Sequence, residues 1–85
     1  MREITYTIID PDGIHARPAG NFVEKMMQYS SKITVNRGDT SADAKKLFAI
    51  MKMRVKSGET ITIRAEGEDE EAAADTALAF LKEYL

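Results

Sequence analysis

The feature that most restricts how this chain can fold is a change of hydrophobic rhythm across Asp10 to Ala19, which reads DPDGIHARPA. Before it, Ile4, Tyr6 and Ile8 alternate with Glu3, Thr5 and Thr7, the pattern of a strand with one apolar and one wet face. After it, Ala19, Phe22, Val23 and Met26 recur at helical spacing. The stretch must therefore turn a strand running from Arg2 to Ile9 into a helix running from Ala16 to Tyr29, where Ser30 and Ser31 break it. Pro11, Asp12 and Gly13 supply the turn, and Asp10 and Asp12 favour it through side-chain to backbone bonds. Pro18 falls in the first helical turn, where its missing N–H costs no intrahelical bond. His15 is thereby placed at the mouth of the helix, beside the amides of Ala16 and Arg17, which have no intrahelical acceptor.

The same two rhythms organise the rest. Ile33 and Val35 alternate within Lys32 to Asn36, and Arg37, Gly38 and Asp39 turn the chain into a short strand at Thr40 to Asp43, a hairpin. From Leu47 to Val55 seven of nine residues are apolar, so a short helix lying on a sheet cannot bury all of them. Ser57, Gly58 and Glu59 turn into a strand from Thr60 to Glu66 with Ile61, Ile63 and Ala65 inward. A last helix follows, with Asp69 as its expected N-cap, Glu70 and Glu71 in its first turn, and Ala74, Ala77, Leu78, Leu81 and Leu85 as its apolar stripe.

Four one-faced strands and three helices in the order β-α-β-β-α-β-α predict an α+β fold. It is an open-faced β-sandwich, with three helices on one face of a four-stranded antiparallel sheet. A right-handed crossover makes the first two strands parallel, and a gap left between them admits the fourth strand antiparallel to both. The strand order is then 1-4-2-3. No repeat or linker divides residues 1–85, so a single domain is expected.

Charge and residue usage narrow the chemistry. Twelve basic and fourteen acidic residues give a net charge of −2, which argues against broad nucleic-acid binding. There is no cysteine, which excludes thiolate catalysis, and one His without three converging carboxylates gives no expectation of a metal site. No apolar run approaches the roughly 20 residues of a bilayer span, and the opening MREITYTI runs straight into a strand pattern rather than a signal peptide. No membrane insertion and a cytoplasmic location are expected.

What remains is the junction, which offers within one turn of chain a nucleophilic imidazole, free backbone donors at the positive end of a helix, and a guanidinium. An imidazole nitrogen is substantially unprotonated near neutral pH and forms a labile N–P bond, so His15 suits a group that is phosphorylated and then gives the phosphate up. Arg17 is permanently charged and can grip phosphoryl oxygens with a planar fork. On its own, such a lone histidine is more often a surface or capping residue.

The assembly GIHARPA closely resembles the active-site motif of HPr, the histidine-containing phosphocarrier family of the bacterial phosphoenolpyruvate-dependent sugar phosphotransferase system (PTS). The family's pattern is Gly, aliphatic, His, small, Arg, Pro. The resemblance continues through ITV, DAKKLFAIM and AEGEDEEAA. It implies the same open-faced sandwich, a phosphohistidine at Nδ1 of His15, charge neutralisation by Arg17, and no cofactor. It further implies a carrier and not a free-standing enzyme, loaded by enzyme I and unloaded to sugar-specific IIA domains. Partners would dock on Gly20 and Met27 of the first helix and on Leu47, Phe48 and Met51 of the second. Ile50 and Met53 sit on a face better suited to the core.

The cations Lys45, Lys46, Lys52, Arg54 and Lys56 ring that apolar patch and would steer an acidic partner. Two departures from the family stand out. Lys46 occupies the position of the regulatory serine of many relatives, so no seryl phosphorylation is expected there, and Glu24 and Met27 occupy positions that are often basic. Two other readings are a paralogue in a regulatory or nitrogen-related phosphorelay and an adaptor binding through Leu47 to Met51 without phosphotransfer. An adaptor, however, needs neither His15 nor Arg17. A monomer is expected.

Overall fold

The alternating segments pair as one sheet because each has a single apolar face to hide. The computed structural model describes residues 1–85: β1 (Arg2–Thr7), α1 (Ala16–Met26), β2 (Lys32–Arg37), β3 (Thr40–Asp43), α2 (Leu47–Lys52), β4 (Thr60–Glu66) and α3 (Glu70–Tyr84). The strand order is β1-β4-β2-β3 with every neighbouring pair antiparallel, as the alternation and the crossover rule required. Register sets Ile4 opposite Ile63, Ile63 opposite Val35, and Val35 opposite Ala42, so one apolar row crosses all four strands. A slip of one residue would expose that row.

Over this face α3 packs on β1 and β4, α1 beside α3 and α2, and α2 against β3. Phe22 and Met26 of α1 share the core with Phe80 and Leu81 of α3, the Phe22 and Phe80 rings being tilted and 5.5 Å apart between centroids. The open face carries Glu3, Thr5, Thr7, Lys32 and Arg64. Asn36 is buried there but satisfied, donating to Thr34 Oγ1 and to the Thr62 carbonyl.

Four local expectations are corrected. β1 ends at Thr7, because the Ile9 and Asp10 amides turn away to the carbonyl of Leu85. Helix α1 stops at Met26, and the next residues continue in tighter turns, with Gln28 N–H on Lys25 O and Tyr29 N–H on Met26 O. In α3 the buried stripe includes Ala73 and Phe80, whereas Leu78 is only half-buried, because the helix packs on α1 as well as on the sheet. Asp69 stands at the start of α3 but does not cap it.

The Asp69 carboxylate instead crosses to the end of α1. It accepts the backbone N–H groups of Ser30 (2.8 Å) and Ser31 (2.9 Å) and the Ser31 hydroxyl. The bond from the Ser31 hydroxyl, reinforced by the Ser30 amide, holds the Asp69 carboxyl down at about 2, well below the usual carboxylate range. Glu70 takes over at the helix entry, accepting the Gly67 N–H at 3.1 Å.

Candidate functional site

The loop that joins β1 to α1 is pinned on three sides. Asp10 Oδ1 accepts the Asp12 N–H at 2.8 Å and Asp10 O accepts the Gly13 N–H at 2.9 Å, the turn that Pro11, Asp12 and Gly13 foretell. Ile9 and Asp10 donate to Leu85 O at 2.8 and 2.9 Å, which ties the loop to the end of α3. Ile14 N–H donates to Val55 O at 3.0 Å, which ties it to the segment after α2. Gly13 is buried against that segment at φ +65°, and a Cβ there would lie 2.3 Å from Val55 O, so no other residue fits.

His15 leaves this loop in extended conformation as the N-cap residue of α1, and its carbonyl accepts the Ala19 N–H at 3.1 Å. No side chain caps the helix, so the Ala16 and Arg17 amides stand at its open positive end. The imidazole is 41 % exposed. Its Nε2 lies 3.4 Å from Asp10 Oδ2, and no hydrogen bond engages Nδ1. Arg17 is exposed and joins none of the six ion pairs of the protein, which leaves its guanidinium open to an incoming anion. The imidazole and the free amides share the open end of α1, with the unpaired Arg17 two residues on, a set that can receive a phosphoryl group and neutralise its charge.

Asp10, Asp12 and His15 bring ligand atoms within 4.8 Å of one another, a mixed carboxylate and imidazole set that spacing alone did not suggest. They could share a cation only at the positive end of α1, with Arg17 two residues away, where the local field favours an anion. The contact of the Asp10 carboxylate with His15 is the feature of the site that the sequence did not reveal. Its turn-forming bond was legible, but the reach of its second oxygen to His15 depends on the loop closing back on itself.

The residues expected to receive partners lie on two adjacent helices. Helix α2 begins near the end of α1, where Lys45 Nζ donates to Tyr29 O at 2.6 Å, and the chain beyond α2 reaches the His15 loop at Val55. It therefore runs back along α1 toward the imidazole. Phe48 is 82 % exposed, Leu47 and Met51 are half-buried, and Ile50 and Met53 face the core. Gly20 is half-exposed with open space where a Cβ would be, so it leaves a shallow place on α1. Met27 is 62 % exposed, but it lies a helix length, about 18 Å, from His15 and at the rim of any surface centred there. Among the cations, Lys46, Lys52, Arg54 and Lys56 are exposed and unpaired, whereas Lys45 is committed to Tyr29 and drops out of the ring. The ion pairs Arg2 to Glu71 and Asp75, Arg64 to Glu3 and Arg37 to Glu59 involve none of these cations.

No helix is long and apolar enough to cross a membrane. The family profile described as "PTS HPr component phosphorylation site" matches residues 2–83. The chain is 42% identical over 74 residues to the phosphocarrier protein HPr of Haemophilus influenzae, covering 87% of each. It is 37% identical over 83 residues to that of Lysinibacillus sphaericus, covering 98% of this chain and 94% of the relative. Its backbone matches the crystal structure of HPr-C-His from Thermoanaerobacter tengcongensis with a TM-score of 0.93 at 35% identity, covering 98% of this chain and 93% of that one.

Proposed function

Because the chain belongs to the PTS HPr family, and is a phosphoryl carrier of that system rather than an enzyme, we propose that Nδ1 of His15 is the atom that carries the phosphoryl group. Phospho-enzyme I loads it and a IIA domain unloads it, in the cytoplasm, with the chain acting as a monomer and a single domain. The observation that carries this reading is the orientation of the ring: Nε2 is turned to Asp10 while Nδ1 has no partner at the open end of α1.

During transfer three equatorial oxygens carry negative charge, and little covalent help is needed beyond positioning and neutralisation. Arg17 and the amides of Ala16 and Arg17 supply that neutralisation. The partner must also hold the phosphoryl group in line with Nδ1. Phe48, Leu47 and Met51, with Gly20 beside them on α1, form the apolar ground for docking, and Met51 can repack against more than one partner. Lys46, Lys52, Arg54 and Lys56 favour partners with acidic rims and act on the association rate. Lys46 offers no hydroxyl for regulatory phosphorylation at the start of α2.

Incubation with enzyme I, phosphoenolpyruvate and Mg2+, followed by intact mass, tests the reading. The chain gains one acid-labile phosphoryl group, His15→Ala gains none, and Arg17→Ala loads at least about tenfold more slowly. Equal loading of His15→Ala overturns it.

A further inference from the structure

We propose that Asp10 is a positioning residue for phosphoryl transfer: its carboxylate holds the His15 proton on Nε2, so that the lone pair stays on Nδ1 before attack and the ring's positive charge is balanced after it. The inference rests on the reading that His15 Nδ1 is the carrier atom. A neutral imidazole has one N–H and one lone pair, and the bond made by one nitrogen decides the role of the other. Here the acceptor is fixed in advance. Asp10 Oδ1 is held by the Asp12 N–H at 2.8 Å, and the Asp10 backbone by Leu85 O at 2.9 Å, so Oδ2 is left facing Nε2 at 3.4 Å. A carboxylate can only accept, so Nε2 must donate. Asp12 brings a carboxylate oxygen within 4.8 Å of a ring nitrogen but is not hydrogen-bonded to it, and Arg17, two residues on, is exposed and makes no bond to it either.

The step balances without a proton leaving the ring. The Nδ1 lone pair forms the N–P bond while the donor's bond to phosphorus breaks and its electron pair stays with the donor. The ring becomes a phosphorylated imidazolium that keeps Nε2–H against Asp10. On unloading, the N–P electron pair returns to Nδ1, and the neutral Nε2–H imidazole is restored. No general base is needed in either direction.

Asp10→Asn is the discriminating variant, because the turn and the ring contact make opposite demands on it. The amide oxygen can still accept the Asp12 N–H, but the NH2 group then faces Nε2 and can only donate. The ring must turn its lone pair to that group and carry its proton on Nδ1. The expected result by 15N NMR of the ring is a protonated Nδ1 in Asp10→Asn, against a protonated Nε2 in the native chain. Loading by phospho-enzyme I at saturating concentration falls at least tenfold, KM is unchanged, and the Asp12 amide resonance stays in place. Asp10→Glu, which restores a charged acceptor, recovers part of the rate. Native loading rates in Asp10→Asn, or a ring that keeps Nε2–H, overturn the role of Asp10. Failure of the native chain to load overturns the underlying reading instead.

Discussion

Gly13→Ala gives the sharpest separation between what the His15 loop owes to glycine and what it owes to its contacts. At φ +65° an alanine costs about 1–2 kcal/mol in the left-handed region. Its Cβ would also lie 2.3 Å from Val55 O and 2.9 Å from Lys56 Cα, both backbone atoms that cannot swing aside. The loop must move off by about an ångström, and the Ile14 to Val55 bond, worth about 1 kcal/mol, is lost. Reduced freedom of the unfolded chain offsets about 0.4–1 kcal/mol. The net loss is about 3 kcal/mol once the residual overlap is included, or roughly 15 °C in Tm for a domain of this size. Gly38→Ala is the matched control: φ is +56°, nothing lies within 4 Å of the added carbon, and the cost is only about 1 kcal/mol. Urea unfolding followed by circular dichroism measures both. If the two variants lie within about 0.5 kcal/mol of each other, the close approach of the loop to Val55 does not anchor the site and the reasoning fails.

Three further outcomes follow from single residues. Arg54 is the one non-glycine residue at positive φ (+51°), so Arg54→Gly raises stability by about 0.5–1 kcal/mol in the same urea assay; a fall contradicts the strain. Phe48 is 82 % exposed, so Phe48→Ala leaves Tm nearly unchanged yet raises the KM for enzyme I severalfold in a loading assay; an unchanged KM removes it from the docking surface. Asp69 has a folded pKa of about 2, below its unfolded value, so its contribution is complete above about pH 4 and is lost as pH falls toward 2. Urea midpoints of the native chain should therefore drop more steeply over that window than those of Asp69→Asn; parallel curves refute the link to Ser30 and Ser31.

The parts of the fold fixed by short-range pattern were legible in the sequence. Ile4, Ile33, Val35, Ile61 and Ile63 announce their faces by alternation, Phe22 and Met26 by helical spacing, and the crossover rule then leaves few ways to order four strands. What escaped was set by tertiary encounters. Asp69 is spelled like a helix cap, yet folding brings Ser30 and Ser31 within its reach, and their four donors outcompete the start of its own helix. Lys45 looks like one more solvated cation just ahead of α2 until the segment after α1 presents the Tyr29 carbonyl. At the site, Gly13, His15 and Arg17 were readable because the strand-turn-helix junction is local. The Asp10 to His15 contact was not, since it spans five residues of a loop whose closure depends on Val55 and Leu85.

The most direct test is to load the 15N-histidine-labelled chain with enzyme I and phosphoenolpyruvate and to read the 15N–31P coupling of the ring. One coupled nitrogen is expected, Nδ1 of His15, with Nε2 still bearing its proton toward Asp10. Coupling at Nε2 would contradict it, because the nitrogen that faces the carboxylate would then be the one that carries the phosphoryl group.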